Sequence, residues 1–372
     1  MKILPNKAYF SKSSITYIQK NFKKILEGKS FLSQYKFSEE FEGDFSRYIE
    51  SPFALSCNSG TSALEIIFRT LGVFNKEVIL PSNTFLATAL GVINAGGKIK
   101  FADCNNDMCI SYESIKKNLT NKTKAIVVVH IGGIITKDIN KIKNLCKKNN
   151  IYLIEDAAQA HGSRLGNINA GNFGDFAAFS FYSTKTITTG EGGMITFKNK
   201  KYLSKMKSIR EFGKVKKGIY INNHEYFGYN WRFQEVNALM GIAQLRQIEK
   251  FINKRTYIAN IYYESLKNKS YLKIINPFVT NSRQNFYKFI VILKDTAREK
   301  LHSQLLKYDI NLSGYVYEIP LHKQPIFKQF SKNKLPNTEY LCANHICLPI
   351  YYEMSKKQAL FLVKKIEEIF EK

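Results

Sequence analysis

The 372-residue chain has no apolar run that approaches the roughly 18 residues needed to cross a bilayer. Its basic start also lacks the long apolar core and the small-residue cleavage site of a secretory signal. Long Pro/Gly-rich linkers, low-complexity stretches and internal repeats are absent as well. The sequence therefore predicts a globular cytoplasmic protein with no membrane partner.

Cysteine is scarce and scattered. The six cysteines form no CxxC pair, and no cluster of histidines accompanies them. Zinc sites and disulfide frameworks both require closely patterned cysteines. We therefore expect reduced, mostly buried thiols and no bound metal ion.

Acidic residues are also few, with 30 Asp and Glu against 56 Lys and Arg, which gives a net charge of +26. Such an excess is compatible with nucleic acid, an anionic membrane surface or phosphate-bearing small molecules as partners. However, the lysines are spread along the whole chain, and no helix-turn-helix, zinc-finger or RNP-like motif accompanies them. This distribution is typical of a compositional bias, so we predict no nucleic-acid partner.

Strand-like and helix-like segments alternate through the first 250 residues. Short apolar runs predict strands at residues 53–57, 77–80, 98–101, 125–129, 151–154, 177–181 and 194–197. The run at 125–129 is nearly all β-branched, as in a parallel strand that is buried on both faces. Strands that alternate with helices indicate an α/β fold with a mainly parallel sheet.

Beyond the last of these strands the pattern predicts a helix to about residue 217 and another over 236–249. After about residue 255 the character changes to a strand at 288–293, a helix at 299–308 and a final helix with Ser355 and Gln358 as its capping box. We therefore divide the chain into a large domain, residues 1–250, and a smaller C-terminal α+β domain, residues 251–372.

Lys185 lies in a polar turn between the predicted strands at 177–181 and 194–197. A lysine between two buried strands is placed to lose part of its hydration, which favours the free amine that acts as a nucleophile. Most lysines in so basic a chain are solvated surface groups, so this pattern alone is weak evidence.

Two further turns follow predicted strands. Gly60 and Thr61 stand where a strand enters a helix, which is the geometry of an anion site but also of an ordinary N-cap, and the segment alone favours the N-cap. Asp156 follows the strand at 151–154, beyond which open α/β sheets bind ligands. A carboxylate there can cap a helix, pair with a lysine or hold a cationic ring nitrogen.

Six motifs occur together and in order: NSGTSAL (58–64), PSNTF (81–85), EDAAQAHG (155–162), SFYSTK (180–185), GEGG (190–193) and FGYNWRFQEVNALMG (227–241). In this combination the chain resembles the DegT/DnrJ/EryC1/StrS family from about residue 36 to its C-terminus. These are sugar aminotransferases that depend on pyridoxal 5′-phosphate (PLP) and have the PLP-dependent transferase fold type I. The resemblance implies a large domain with a mainly parallel mixed sheet flanked by helices.

The resemblance implies catalytic roles for Lys185 and Asp156 and cofactor-binding roles for Phe85 and Gln159. Lys185 matches the lysine that forms a Schiff base with PLP, and Asp156 matches the carboxylate that keeps the pyridine nitrogen protonated. Phe85 matches the aromatic residue that stacks on the ring, and Gln159 the residue near the ring hydroxyl. The histidine that replaces this lysine in a dehydratase subgroup is absent here.

The resemblance also implies contacts to phosphate and substrate. Gly60, Thr61 and Ser180 match phosphate ligands, which revives the anion-site interpretation of the first turn. Asn230 matches a phosphate contact from the partner subunit, so a homodimer with shared active sites is implied. His322, in a Leu-His-x-Gln-Pro stretch, is a candidate substrate contact.

The implied activity is transfer of an amino group from glutamate to a keto-sugar, nucleotide-linked, in surface or secondary glycan biosynthesis. One alternative is an aminotransferase for a small phosphorylated or carbocyclic ketone, because residues 130–135 lack the proline-containing GxP turn of many relatives. Another is a regulatory PLP-fold protein without turnover, against which Lys185, Asp156 and Gln159 all count.

Overall fold

The computed structural model describes residues 1–275, 278, 280–294, 298–330 and 334–370. The helices of this part of the chain are α1 (Lys12–Leu26), α2 (Lys36–Ile49), α3 (Gly60–Leu71), α4 (Leu86–Asn94), α5 (Tyr112–Asn118), α6 (Ile139–Lys148), α7 (Leu203–Arg210), α8 (Glu235–Leu245), α9 (Ile248–Leu266), α10 (Arg298–Leu306), α11 (Pro336–Asn344) and α12 (Lys356–Phe370). None of them is long and apolar enough to span a membrane.

The strands are β1 (Phe53–Cys57), β2 (Glu77–Pro81), β3 (Lys98–Ala102), β4 (Thr123–Val129), β5 (Tyr152–Asp156), β6 (Arg164–Leu165), β7 (Ile168–Asn169), β8 (Phe176–Ser180), β9 (Gly193–Phe197), β10 (Lys214–Lys217), β11 (Tyr220–His224), β12 (Leu272–Ile274), β13 (Ser282–Arg283), β14 (Phe289–Leu293) and β15 (His345–Leu348). Each of the seven strands predicted for the large domain is found, with boundaries shifted by at most two residues.

Those seven strands form one mixed sheet in the order β1-β9-β8-β5-β4-β2-β3. β9 pairs antiparallel with both of its neighbours, and the other pairs are parallel. On the central strand β4, Val127 and Val129 pack into one apolar cluster, while Ile126 and Val128 pack into another on the opposite face. Two buried faces need an unbroken apolar strand, so the β-branched run predicted this parallel sheet correctly.

A second sheet, β12-β14-β15, is antiparallel and has its own apolar cluster with α9, α10 and α12. The predicted capping box of α12 is confirmed: Ser355 and Gln358 exchange backbone-to-side-chain bonds of 2.9 and 3.1 Å. The first residues of the chain join this cluster, since Ile3 forms a bridge to Ile310 and is fully buried there. The division at residue 250 remains a proposal, because α9 crosses that point without a break.

Two helix predictions were wrong. The helix expected to reach residue 217 ends at Arg210, because Phe212 and Gly213 adopt left-handed backbone conformations with φ of 57° and 73°, and a β10–β11 hairpin follows. The helix predicted over 236–249 is two helices, α8 and the start of α9. The six cysteines are free and buried, as the sequence predicted.

Candidate active site

A cavity of about 340 Å³ lies at the carboxyl ends of the parallel strands of the large sheet. Its wall contains seven of the residues that the sequence singled out: Gly60, Thr61, Phe85, Asp156, Gln159, Ser180 and Lys185. Asp156 and Ser180 are the last residues of β5 and β8, and Gly60 begins α3 directly after β1. Strand ends at one edge of a parallel sheet meet, which is why residues so distant in sequence share a cavity.

Lys185 sits in the connection between the neighbouring strands β8 and β9. Its backbone N–H donates to the carbonyl of Tyr182 at 2.9 Å, so the turn is hydrogen-bonded. The side chain is half-buried, and its Nζ lies 5.0 Å from the centroid of the Tyr287 ring. An aromatic face stabilises a nearby ammonium by about 0.5–2 kcal/mol, so Tyr287 helps to hold the lysine at the cavity wall.

Tyr287 is linked by hydrogen bonds to the two residues that flank Lys185, Thr184 directly and Thr186 through Asn285. Its hydroxyl contacts Thr184 Oγ1 at 3.2 Å, and its backbone N–H donates to Asn285 Oδ1 at 3.0 Å. The buried Asn285 in turn donates to Thr186 Oγ1 at 3.2 Å. Burial alone would raise the pKa of the Tyr287 phenol, but the positive charges of Lys185 and its neighbours outweigh burial and lower that pKa.

Asp156 is 6% exposed and keeps a carboxylate at the cavity wall. Thr88 Oγ1 donates to Oδ2 at 2.7 Å, and the Ala158 backbone N–H donates to Oδ1 at 3.2 Å. The carboxylate has no lysine or arginine partner within ion-pair distance in the described residues. It is therefore available to a cationic group of a ligand.

The amide of Gln159 is oriented by two protein contacts. Gly132 donates its backbone N–H to Oε1 at 2.7 Å, and Nε2 donates to the Tyr317 hydroxyl at 2.6 Å. Gly132 has φ of 62°, a conformation that favours glycine. The loop at 130–135 thus fixes which end of this amide is the donor, and one N–H of Nε2 remains for a ligand.

The turn after β1 has the geometry of an anion site. Ser59 caps α3 by accepting the backbone N–H of Ser62 at 3.1 Å, while the N–H groups of Gly60 and Thr61 have no acceptor among the described residues. A Cβ on Gly60 would lie 2.8 Å from Cβ of Ser180, so only glycine leaves the cup open. Free N–H groups at a helix N-terminus suit a phosphate.

Phe85, the N-cap residue of α4, is 61% exposed although it is a large aromatic residue. Its ring lies 6.5 Å from that of Tyr317, at an interplanar angle of 33°. Burial, followed by the charge of Asp156, raises the pKa of Tyr317 well above its ordinary value, which keeps the phenol protonated. The exposed face of Phe85 is available for a planar ligand to stack on.

His161 lies in the shell behind the cavity, among the rings of Phe45, Phe179 and Phe181. Burial, reinforced by the positive charge of Lys185, lowers the pKa of the imidazole to about 3. The ring is therefore neutral at physiological pH and adds no charge to the site.

Two of the residues that the sequence singled out do not line the cavity. Asn230 is exposed, and its backbone carbonyl accepts from Asn58 Nδ2 at 3.3 Å beside the turn after β1. His322 is buried, with Nδ1 at 2.7 Å from Ser82 Oγ and Nε2 at 3.1 Å from Glu339 Oε1. Both ring nitrogens thus have protein partners, and the role of His322 in substrate binding stays a prediction.

Tyr287, Lys288 and Tyr317 line the cavity but were not predicted as site residues. They come from the C-terminal part of the chain, where the sequence motifs are sparse. The only local signal is polar or phenolic residues beside an apolar strand, and this is common on protein surfaces. Among the described residues, no group of three His, Cys, Asp or Glu side chains could hold a metal ion.

Residues 13–367 match the model of the DegT/DnrJ/EryC1/StrS aminotransferase family. The chain belongs to this family. It is a PLP-dependent aminotransferase with the α/β fold of that group, as the sequence motifs predicted.

Among its relatives, the GDP-perosamine synthase of Escherichia coli O157:H7 is 31% identical over 362 residues, which is 96% of this chain and 97% of the relative. A UDP-4-amino-4,6-dideoxy-N-acetyl-beta-L-altrosamine transaminase of Campylobacter jejuni is 32% identical, with 90% of each chain covered. The solved structure of Helicobacter pylori PseC, an aminotransferase involved in the biosynthesis of pseudoaminic acid, superposes with a TM-score of 0.92 at 25% identity, over 100% of both chains.

The cavity fits PLP chemically. It combines a lysine amine, a buried carboxylate and an exposed aromatic face with a cup of N–H groups that a Cβ would fill; among the described residues the carboxylate has no cationic partner and the N–H groups have no acceptor. These groups match the aldehyde, ring nitrogen, ring face and phosphate of the cofactor.

Proposed function

We propose that this aminotransferase moves an amino group from glutamate to a keto-sugar carried on a nucleotide, in cytoplasmic glycan biosynthesis. The observation that supports it best is the single cavity that gathers Lys185, Asp156 and Gln159 around the turn of Gly60 and Thr61. The names of the relatives from Escherichia coli and Campylobacter jejuni support a nucleotide-linked sugar as acceptor.

In this proposal Lys185 has two roles. Its amine would anchor the cofactor covalently, and when free it would take the proton from the α-carbon of the amino donor and later return it. PLP, when bound, supplies a conjugated ring that delocalises the negative charge left on that carbon. Lys185 Nζ lies 5.0 Å from the centroid of the Tyr287 ring. This contact would keep the free amine at the cavity wall, close to the donor carbon from which it takes the proton.

Asp156, Gln159 and Phe85 position the cofactor in this proposal. Asp156 holds the pyridine nitrogen protonated, and its bond from Thr88 fixes the carboxylate at the wall. Gln159 would donate its remaining N–H to the ring hydroxyl, because its oxygen already accepts from Gly132. Phe85 offers a stacking face.

The phosphate is assigned to Gly60, Thr61 and Ser180, with Asn230 contributed by a partner subunit in a homodimer. Exposed apolar side chains in the segment that precedes Asn230 support such an interface: Phe227 is 87% exposed, Ile219 88% and Tyr229 52%. Large apolar side chains left in water are typical of surfaces that another chain covers.

A screen of acceptors tests the proposed reaction. The purified protein is incubated with L-glutamate and a panel of UDP- and GDP-linked keto-sugars and small phosphorylated ketones, and 2-oxoglutarate and product mass are measured. We expect 2-oxoglutarate to form with at least one keto-sugar. The mass of that sugar should show that its carbonyl group has been replaced by an amino group. Turnover with small phosphorylated ketones alone, or no turnover with PLP bound, would contradict the nucleotide-sugar assignment.

Complementation between two inactive variants tests the shared site. Asn230→Asp should place a carboxylate against a dianionic phosphate and weaken PLP binding, whereas Lys185→Ala removes the anchor. If Asn230 serves the neighbouring site, a mixed dimer has one doubly altered site and one intact site. We expect refolding of the two variants together to restore activity, to about half of normal in each heterodimer.

Refolding each variant alone is the control and should restore nothing. Heterodimers are isolated with two different affinity tags, so that their formation is known independently of activity. Persistent inactivity of such heterodimers would show that Asn230 and Lys185 act within one chain.

A further inference from the structure

The cavity wall carries a second ammonium group besides that of Lys185, and it belongs to Lys288. Its Nζ donates to the carbonyl oxygen of Ser313 at 2.6 Å and to Ser313 Oγ at 2.7 Å. Both acceptors are neutral, and no described carboxylate lies within ion-pair distance of this nitrogen. Lys288 is therefore a half-buried cation that lacks an anionic partner within the described chain.

The register of β14 explains why this lysine faces the cavity. Side chains alternate along a strand, so Lys288 shares a face with Ile290 and Ile292. Those two isoleucines pack in the apolar cluster of the large sheet, whereas Phe289 and Val291 pack in the cluster of the small sheet. Lys288 therefore points in the same direction as Ile290 and Ile292, toward the large sheet.

The surroundings of Lys288 keep it at the wall. Its Nζ lies 5.5 Å from the centroid of the Tyr287 ring, the same ring that the ammonium of Lys185 contacts. By contrast, Arg298 on the same part of the chain already pairs with Glu299 and Glu318. A partly desolvated cation with neutral partners gains free energy when an anion binds beside it.

We propose that Lys288 is an anion anchor of this cavity, and that its ammonium binds a carboxylate of the amino donor or a phosphate of the nucleotide-linked acceptor. The identity of these two anions rests on the proposed function. A carboxylate and a phosphate offer the same chemistry to an ammonium, namely charged oxygens that accept its N–H groups. Lys185 cannot serve in this role, because it is the covalent anchor of PLP in that function.

The test is a binding experiment on the PLP-loaded protein. Glutarate represents the donor carboxylates without an amino group, while UDP and GDP represent the acceptor phosphates. Their dissociation constants are measured by calorimetry for wild type, Lys288→Met, Lys288→Arg and Lys294→Met. Lys294 is an exposed lysine just beyond β14, so its substitution removes the same charge outside the cavity.

We expect Lys288→Met to weaken one class of probe by roughly 10- to 100-fold, the range of a hydrogen bond to a charged group. Lys288→Arg should retain binding within a few-fold, and Lys294→Met should match wild type. A loss confined to glutarate assigns the anchor to the donor, and a loss confined to UDP and GDP assigns it to the acceptor.

Lys288→Met that binds every probe with wild-type affinity would overturn the anchor, as would a wild-type protein that binds none of them. Thermal unfolding of each variant establishes that the fold is intact. Amino transfer is measured separately in the acceptor screen, so failure of the anchor and failure of the proposed reaction are distinguishable.

Discussion

Lys185→Ala is expected to abolish amino transfer, with a rate loss of roughly 10³-fold or more, because one side chain is both covalent anchor and proton carrier. The purified wild-type protein should be yellow, with an absorption band of lysine-bound PLP that borohydride reduces irreversibly. In the variant we expect no such covalent product, as judged by mass spectrometry of the peptide that contains residue 185.

Lys201→Ala is the matched control. Lys201 lies 4.9 Å from the ring centroid of Tyr202, much as Lys185 lies over Tyr287, but it is outside the cavity. This control should keep the wild-type rate and the band. Normal turnover by Lys185→Ala would remove the centre of the proposed mechanism.

Asp156→Asn is expected to lower the rate by roughly 10²- to 10⁴-fold while the fold and much of the PLP affinity persist. An amide cannot hold the pyridine nitrogen protonated, so the ring loses its capacity to delocalise charge. The fold should tolerate the change, because Thr88 Oγ1 can rotate to accept from the new amide. Single-turnover kinetics with glutamate measure the loss.

Asp175→Asn serves as the control for this variant. Asp175 accepts the backbone N–H of Leu153 at 2.9 Å and does not line the active-site cavity. We expect its rate to equal that of wild type. Near-normal turnover by Asp156→Asn would mean that Asp156 only accepts the N–H of Ala158 and caps the turn.

The sheet of the large domain was predictable because each of its strands is a short apolar run bounded by polar turns. The pairing of β6 with β13 could not be predicted in this way. Each strand has two residues, which is too few for an alternation of apolar and polar side chains to be recognised in the sequence. The prediction of a helix to residue 217 was wrong for a local reason, because Phe212 and Gly213 adopt left-handed backbone conformations that end the helix.

For the site, the motifs near strand ends predicted Lys185, Asp156 and Gln159 in one place, and the cavity brings them together. They did not predict what orients those residues. Tyr287 meets Lys185, and Tyr317 meets Gln159, only because the C-terminal part of the chain packs against the end of the large sheet. Contacts of this kind depend on tertiary packing rather than on local pattern.

The position of β9 between β1 and β8 determines when the site can exist during synthesis. Within the described part of the chain, β1 is an edge strand whose only neighbour in the sheet is β9, so the chain must emerge from the ribosome as far as Phe197 before β1 has a partner. The turn of Gly60 and Thr61 depends on that pairing, and the same hairpin delivers Lys185. A nascent chain that ends before Phe197 therefore leaves β1 unpaired, and with it the turn that carries Gly60 and Thr61.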